Sequence, residues 1–156
     1  MTKGEFEILL VEDDPRDVKL TLHALRAEKV GNSVEVVRDG AEALDFLFRR
    51  GAYSDRPADQ QPKLVLLDLK LPKVDGLEVL REIKSNPQTR SIPVTILTSS
   101  TEERDLVESY RLGVNSYIQK PVDFDQFRNT VKTLGLYWLV VNRTSPPQRI
   151  PDAATP

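Results

Sequence analysis

The sequence predicts an α/β fold, a doubly wound five-stranded parallel sheet (flavodoxin-like) with five helices. Three observations predict it. Short, solidly apolar runs such as Ile8-Leu-Leu-Val11 and Leu64-Val-Leu-Leu67 read as strands buried on both faces. They alternate with longer stretches whose apolar residues recur every three or four positions, which is the βα alternation of a parallel sheet with right-handed crossovers. The chain has 156 residues, enough for one well-filled domain and a short appendage.

The elements follow in order. After the first strand, Asp14-Pro15 supplies an N-cap and a first-turn proline, and Val18, Leu22 and Leu25 follow at helical spacing. Val34 to Val37 is a second strand, ended by Asp39-Gly40. Ala43, Leu44, Leu47 and Phe48 form the apolar face of a second helix. Gly51 to Pro62, with Gly, Ser, two Pro, two Asp and two Gln, reads as a surface loop. The third strand ends at Asp68. Pro72 and Asp75-Gly76 turn the chain into a helix with Leu77, Leu80 and Ile83 on one side, closed near Pro87. Val94 to Leu97 is a strand, Glu102 to Leu112 a helix ended by Gly113, and Tyr117-Ile-Gln a short strand stopped at Lys120-Pro121. A last helix begins near Asp123 with Phe124, Phe127, Val131, Leu134 and Trp138 at spacings of three or four.

Composition removes several classes of function. Hydrophobic residues make up 39% and charged residues 29%, ordinary for a globular chain and against disorder. Lysine and arginine total 22 against 24 acids, so the net charge of −2 offers no footprint for nucleic acid. Without cysteine there are no disulfides, thiolate metal sites or thiol nucleophiles. The short apolar stretch near the N-terminus is too brief for a signal peptide or membrane span, so a soluble cytoplasmic protein is expected.

Chemistry is expected beyond the carboxyl ends of the strands. Glu12 and Asp13 follow the first strand, Asp68 the third, Thr98 the fourth and Lys120 the fifth. Three carboxylates, a hydroxyl and an ammonium would then meet at one edge. Clustered carboxylates repel one another unless a cation lies among them, and oxygen ligands of this kind suit Mg²⁺. Each residue also has a plain alternative. Asp14 before Pro15 is read as a helix cap, a lone Asp68 as a loop acid, Lys120 as a surface lysine and Thr98 as a strand former. His23, the chain's single histidine, is given no role.

Four segments together resemble a known pattern: Ile8-Leu-Leu-Val-Glu-Asp-Asp14, Leu66-Leu-Asp-Leu-Lys-Leu-Pro-Lys-Val-Asp-Gly76, Ile96-Leu-Thr98 and Tyr117-Ile-Gln-Lys-Pro121. From Glu7 to about Leu134 the sequence is similar to response-regulator receiver domains of two-component signalling. By analogy with flavodoxin and a chemotaxis regulator, the strand order becomes 2-1-3-4-5. The resemblance implies that Asp68 is the phosphoacceptor for a sensor histidine kinase. It implies that Asp13, Asp68 and the Lys70 carbonyl hold Mg²⁺ with Glu12 assisting, and that Thr98, the Ser99 amide and Lys120 bind phosphate. Thr98 and Tyr117 would form the switch, and the bond before Pro121 would be cis. The long Gly51–Pro62 loop, the extended C-terminus and Ser85 to Pro93 are similar to stand-alone regulators that partner phytochrome kinases.

Rival readings are weighed on residues. A haloacid-dehalogenase-like phosphatase needs a second acid two positions after its nucleophile, where this chain has Lys70. A nucleotide-binding flavodoxin-like protein wants a glycine- or hydroxyl-rich loop where Glu12, Asp13 and Asp14 stand. A receiver-fold adaptor that works without phosphorylation stays open as the alternative. The domain is expected to span 1–143, with an irregular proline-containing tail at 144–156 and no DNA-binding output domain. Output would be a contact with a downstream phosphotransfer or target protein. Finally, Leu136, Tyr137, Trp138, Leu139, Val140 and Val141 lie in a charge-free run, apolar on every side. A homodimer interface is expected there.

Overall fold

Five runs of β-branched and leucine-rich sequence form the sheet. In the computed structural model, which describes residues 8–27, 34–98 and 110–134, they are β1 (Ile8–Val11), β2 (Val34–Val37), β3 (Leu64–Asp68), β4 (Val94–Thr98) and β5 (Ser116–Gln119). All neighbours pair in parallel, in the order β2-β1-β3-β4-β5. The register sets Val11 beside Leu67 and Asp68 beside Leu97, so the acidic ends of β1 and β3 emerge together.

The two-residue period of a strand sends alternate side chains to opposite faces. Leu9, Val11, Val65, Leu67, Val94 and Ile96 build one core with α2 (Gly40–Phe48) and α3 (Gly76–Ser85). Ile8, Leu10, Leu64, Leu66, Leu97 and Ile118 build the other with α1 (Pro15–Ala27) and α4 (Phe124–Leu134). The sheet is therefore covered on both sides, as expected. Four helices are described where five were expected. The missing one, Glu102 to Leu112, falls outside the described residues except at its end, where Tyr110 and Arg111 are helical. The run Leu136 to Val141 and the tail from Thr144 also lie outside them.

Helix faces differ in detail from their periodicity. In α2 the fully buried side chains are Ala43, Phe46 and Leu47, while Leu44 and Phe48 pack at the margin. In α3 Val79 joins Leu80 and Ile83, and Leu77 is only half-buried. Around each helix Phe46 and Val79 extend the buried face on the side opposite Leu44 and Leu77.

The stretch Gly51 to Pro62 does more than link elements. It opens with a 3₁₀ turn, Gly51–Tyr53, whose Tyr53 hydroxyl donates to Glu42 at 2.6 Å. Arg56 lays its guanidinium over the Phe46 ring at 3.8 Å and donates to the carbonyls of Phe46 and Gln60. Gln61 donates to the Leu47 carbonyl at 2.8 Å. Arg56 and Gln61 thus add donors to carbonyls at the end of α2.

The β3–α3 loop is held just as closely. Gly40 donates to the Pro72 carbonyl at 3.3 Å, and Gly76 donates to the Leu69 carbonyl at 3.1 Å. A Cβ at Gly40 would lie 1.9 Å from the Val74 oxygen, and one at Gly76 would lie 2.4 Å from the Asp68 oxygen. Only glycine lets these backbones approach, and their approach fixes the loop that follows Asp68.

Candidate functional site

At the carboxyl edge the side chains converge as the strand ends required. Glu12 is fully buried. Its Oε2 accepts from the Asp14 amide at 3.2 Å, and its Oε1 lies 2.8 Å from Lys120 Nζ. Asp68, 5% exposed, accepts from the Lys70 amide through Oδ1 at 3.3 Å. Its Oδ2 sits 3.2 Å from Lys120 Nζ. Asp13 is exposed beside them. Asp14 caps α1 by accepting from the Arg16 amide at 2.8 Å, which is the structural role read from Pro15.

Lys120 is the hub, with its side chain only 9% exposed. A third carboxylate, Asp17 Oδ2 on the first turn of α1, lies 3.0 Å from the same nitrogen. An ammonium has three donors, and here three acids surround it. Burial works against the charged lysine, yet the bonds to Glu12 and Asp17 and the charge of Asp68 outweigh it and raise its pKa. Burial raises the Glu12 pKa to about 7, with the charge of Asp68 adding to it despite the Lys120 bond.

One ammonium thus leaves this edge short of positive charge. One oxygen from each of Glu12, Asp13 and Asp68 lies within 4.8 Å of the other two. These three acids would hold a hard divalent cation such as Mg²⁺, which takes oxygen ligands and would offset their mutual repulsion. Hard oxygen donors and an excess of negative charge fit a divalent cation.

Asp17 was not foreseen. In the sequence it is an acid in a helix's first turn, indistinguishable from one that merely favours the helix dipole. Tyr117, on the edge strand β5, is 44% exposed and packs edge-on against Tyr110 with ring centres 6.1 Å apart. Thr98 closes β4, its side chain outside the description, as is Ser99. The Lys120–Pro121 bond is cis, as the resemblance implied. His23 is exposed on α1 near Arg16, Lys19 and Leu20.

Residues 8–132 match the sequence profile of the response regulator receiver domain. The chain belongs to this family. The receiver is 42% identical over 132 residues to response regulator Rcp1 of Synechocystis sp., covering 85% of this chain and 88% of Rcp1. The bacteriophytochrome response regulator RtBRR superposes with a TM-score of 0.79 at 52% identity, covering 94% of this chain and 85% of that one. The Mn²⁺-bound form of Rcp1 gives a TM-score of 0.70 over 85% of this chain and 93% of its own, at 42% identity. Phosphorylated RcpA, a cyanobacterial phytochrome response regulator, gives 0.71 at 41% identity, over 92% and 99%. The receiver therefore matches the phytochrome-associated type, with an acidic pocket suited to a divalent metal. Among its described residues no helix is long and apolar enough to cross a membrane.

Proposed function

We propose that this receiver is a cytoplasmic switch rather than an enzyme acting on other substrates. It takes a phosphoryl group from the histidine of a sensor kinase, here a phytochrome kinase, and changes its protein contacts in response. An Asp68 carboxylate oxygen bonds to phosphorus as the bond to the donor's imidazole nitrogen breaks, and that nitrogen keeps the electron pair. The supporting observation is the convergence on Asp68 of a buried ammonium and two further carboxylates. Glu12, Asp13, Asp68 and the Lys70 carbonyl would hold Mg²⁺. When bound, the ion would offset charge on the transferring oxygens. Lys120 neutralises the same charge from the protein side, while Thr98 and the Ser99 amide receive phosphate oxygens.

The test is acetyl phosphate with Mg²⁺, read by intact mass and peptide mapping. A single phosphoryl adduct on the Asp68 peptide, lost when a chelator replaces Mg²⁺, is expected. No adduct from acetyl phosphate or from a kinase would favour the phosphorylation-independent adaptor.

The same reading makes Thr98 and Tyr117 the link between phosphate and the β5 surface, where the tyrosine ring stands outward against Tyr110. Coupling requires an element with two states that phosphate biases. Thr98→Ala should leave labelling of Asp68 largely intact. It should remove the difference in partner affinity between phosphorylated and free protein, measured by titration calorimetry. A difference as large as in wild type would count against the switch.

Pairing through Leu136, Tyr137, Trp138, Leu139, Val140 and Val141 into a two-fold homodimer belongs to this proposal as well, since a run without charge needs cover on every side. Sedimentation at micromolar concentration should find a dimer for the full chain and a monomer for one ending at Gly135. Two monomers would return the run to the domain's own core.

A further inference from the structure

Lys120 stands among three acids at different depths, donating to Asp17 and lying within ion-pair distance of Glu12 and Asp68. Glu12 is fully buried and Asp68 nearly so, with its side chain 7% exposed, whereas the Asp17 side chain is 27% exposed. Asp17 is the outermost acceptor, and it stands outside the group of acids close enough to share a metal. Its neighbour Arg16 gives it no competing partner, for Arg16 pairs with Asp14 at 3.7 Å. The bond from Lys120 joins α1 to the chain after β5 across 103 residues.

We propose that Asp17 is a positioning residue for Lys120, one that holds part of the ammonium's charge and thereby weakens the site's grip on a phosphoryl group. The inference rests on reading Asp68 as the acceptor. A phosphoryl group brings roughly −1.5 to −2 of charge and three strong acceptor oxygens. It must draw on a lysine already shared with Asp17, whose own charge also repels it. At 3.0 Å from a lysine this buried, the carboxylate is poorly screened by salt. Asparagine at this position would keep an acceptor for Lys120 and remove the charge. Alanine would remove both.

The probe is beryllofluoride with Mg²⁺, a stable stand-in for the phosphoryl group, titrated into the full chain and followed by fluorine resonance. Asp17→Asn and Asp17→Ala should both reach half-saturation at roughly three- to ten-fold lower beryllofluoride than wild type, the size expected for one partly exposed charge. Equal half-saturation in all three proteins, with only a lower melting temperature in the variants, would make Asp17 a helix-terminus acid and overturn the proposal. Weaker binding in both variants would also overturn it, since Asp17 would then be an anchor that binding needs. Failure of the wild type to bind beryllofluoride, or undiminished binding by Asp68→Asn, would overturn the reading of Asp68 and this inference with it.

Discussion

Asp68→Asn is expected to take up no phosphoryl group from acetyl phosphate, a fall on the order of 10³-fold or more because the attacking oxygen itself is lost. An amide oxygen is a poor nucleophile, yet the side chain has nearly the same shape. Its oxygen can still accept from the Lys70 amide, now 3.3 Å from Oδ1. The substitution also removes a charge that presses on Glu12. The variant should therefore fold with a melting temperature no lower than wild type, so that loss of labelling reports chemistry and not unfolding. Radiolabelled acetyl phosphate with alkali treatment checks it, since an acyl phosphate is lost in alkali. Label accumulating at the wild-type rate would move the acceptor to another carboxylate, Asp13 first among them.

Lys120→Ala should be nearly as damaging by a different route. Removing one prepositioned donor from a charge-stabilising site costs ~10²–10³ in rate. The acceptor remains, so slow labelling should persist where Asp68→Asn shows none. Stability should fall too. Lys120 is the cation beside fully buried Glu12, and breaking such a pair from one side costs about 3 kcal/mol. Mg²⁺ should restore part of that loss by binding only the folded form. Urea midpoints with and without Mg²⁺ measure this, and labelling rates measure the first effect. Lys120→Arg should recover more of the stability than of the rate, because a planar guanidinium keeps the charge and changes the geometry. Equal rates in Lys120→Ala and wild type would remove the lysine from the chemistry.

The central strands β1 and β3 were legible because a sheet buried on both faces leaves little room for polar residues, whereas the edge strand Val34–Val37 carries Glu35 and is half-buried along most of its length. Asp68 was read as following its strand and instead closes it, still paired with Leu97. The core of the site was legible for the same reason: strand ends are fixed by the apolar runs, and topology carries their next residues to one edge. What stayed hidden depends on contacts between distant segments. Arg56 looked like one more charge in a polar loop, and its place at the end of α2 follows only when the loop folds back over Phe46. Asp17 looked like a helix-start acid until Lys120 came within 3.0 Å of it.

The lysine hub ties the chemistry to the order in which the chain is completed. Glu12, Asp13, Asp17 and Asp68 all leave the ribosome before Lys120, and domains begin to form from the N-terminal side during synthesis. In the sheet β5 pairs with β4, which stands between it and β3. The cation of this edge is thus carried by the segment that follows the outermost strand, and the edge has its full set of charges only when β5 is paired in the sheet.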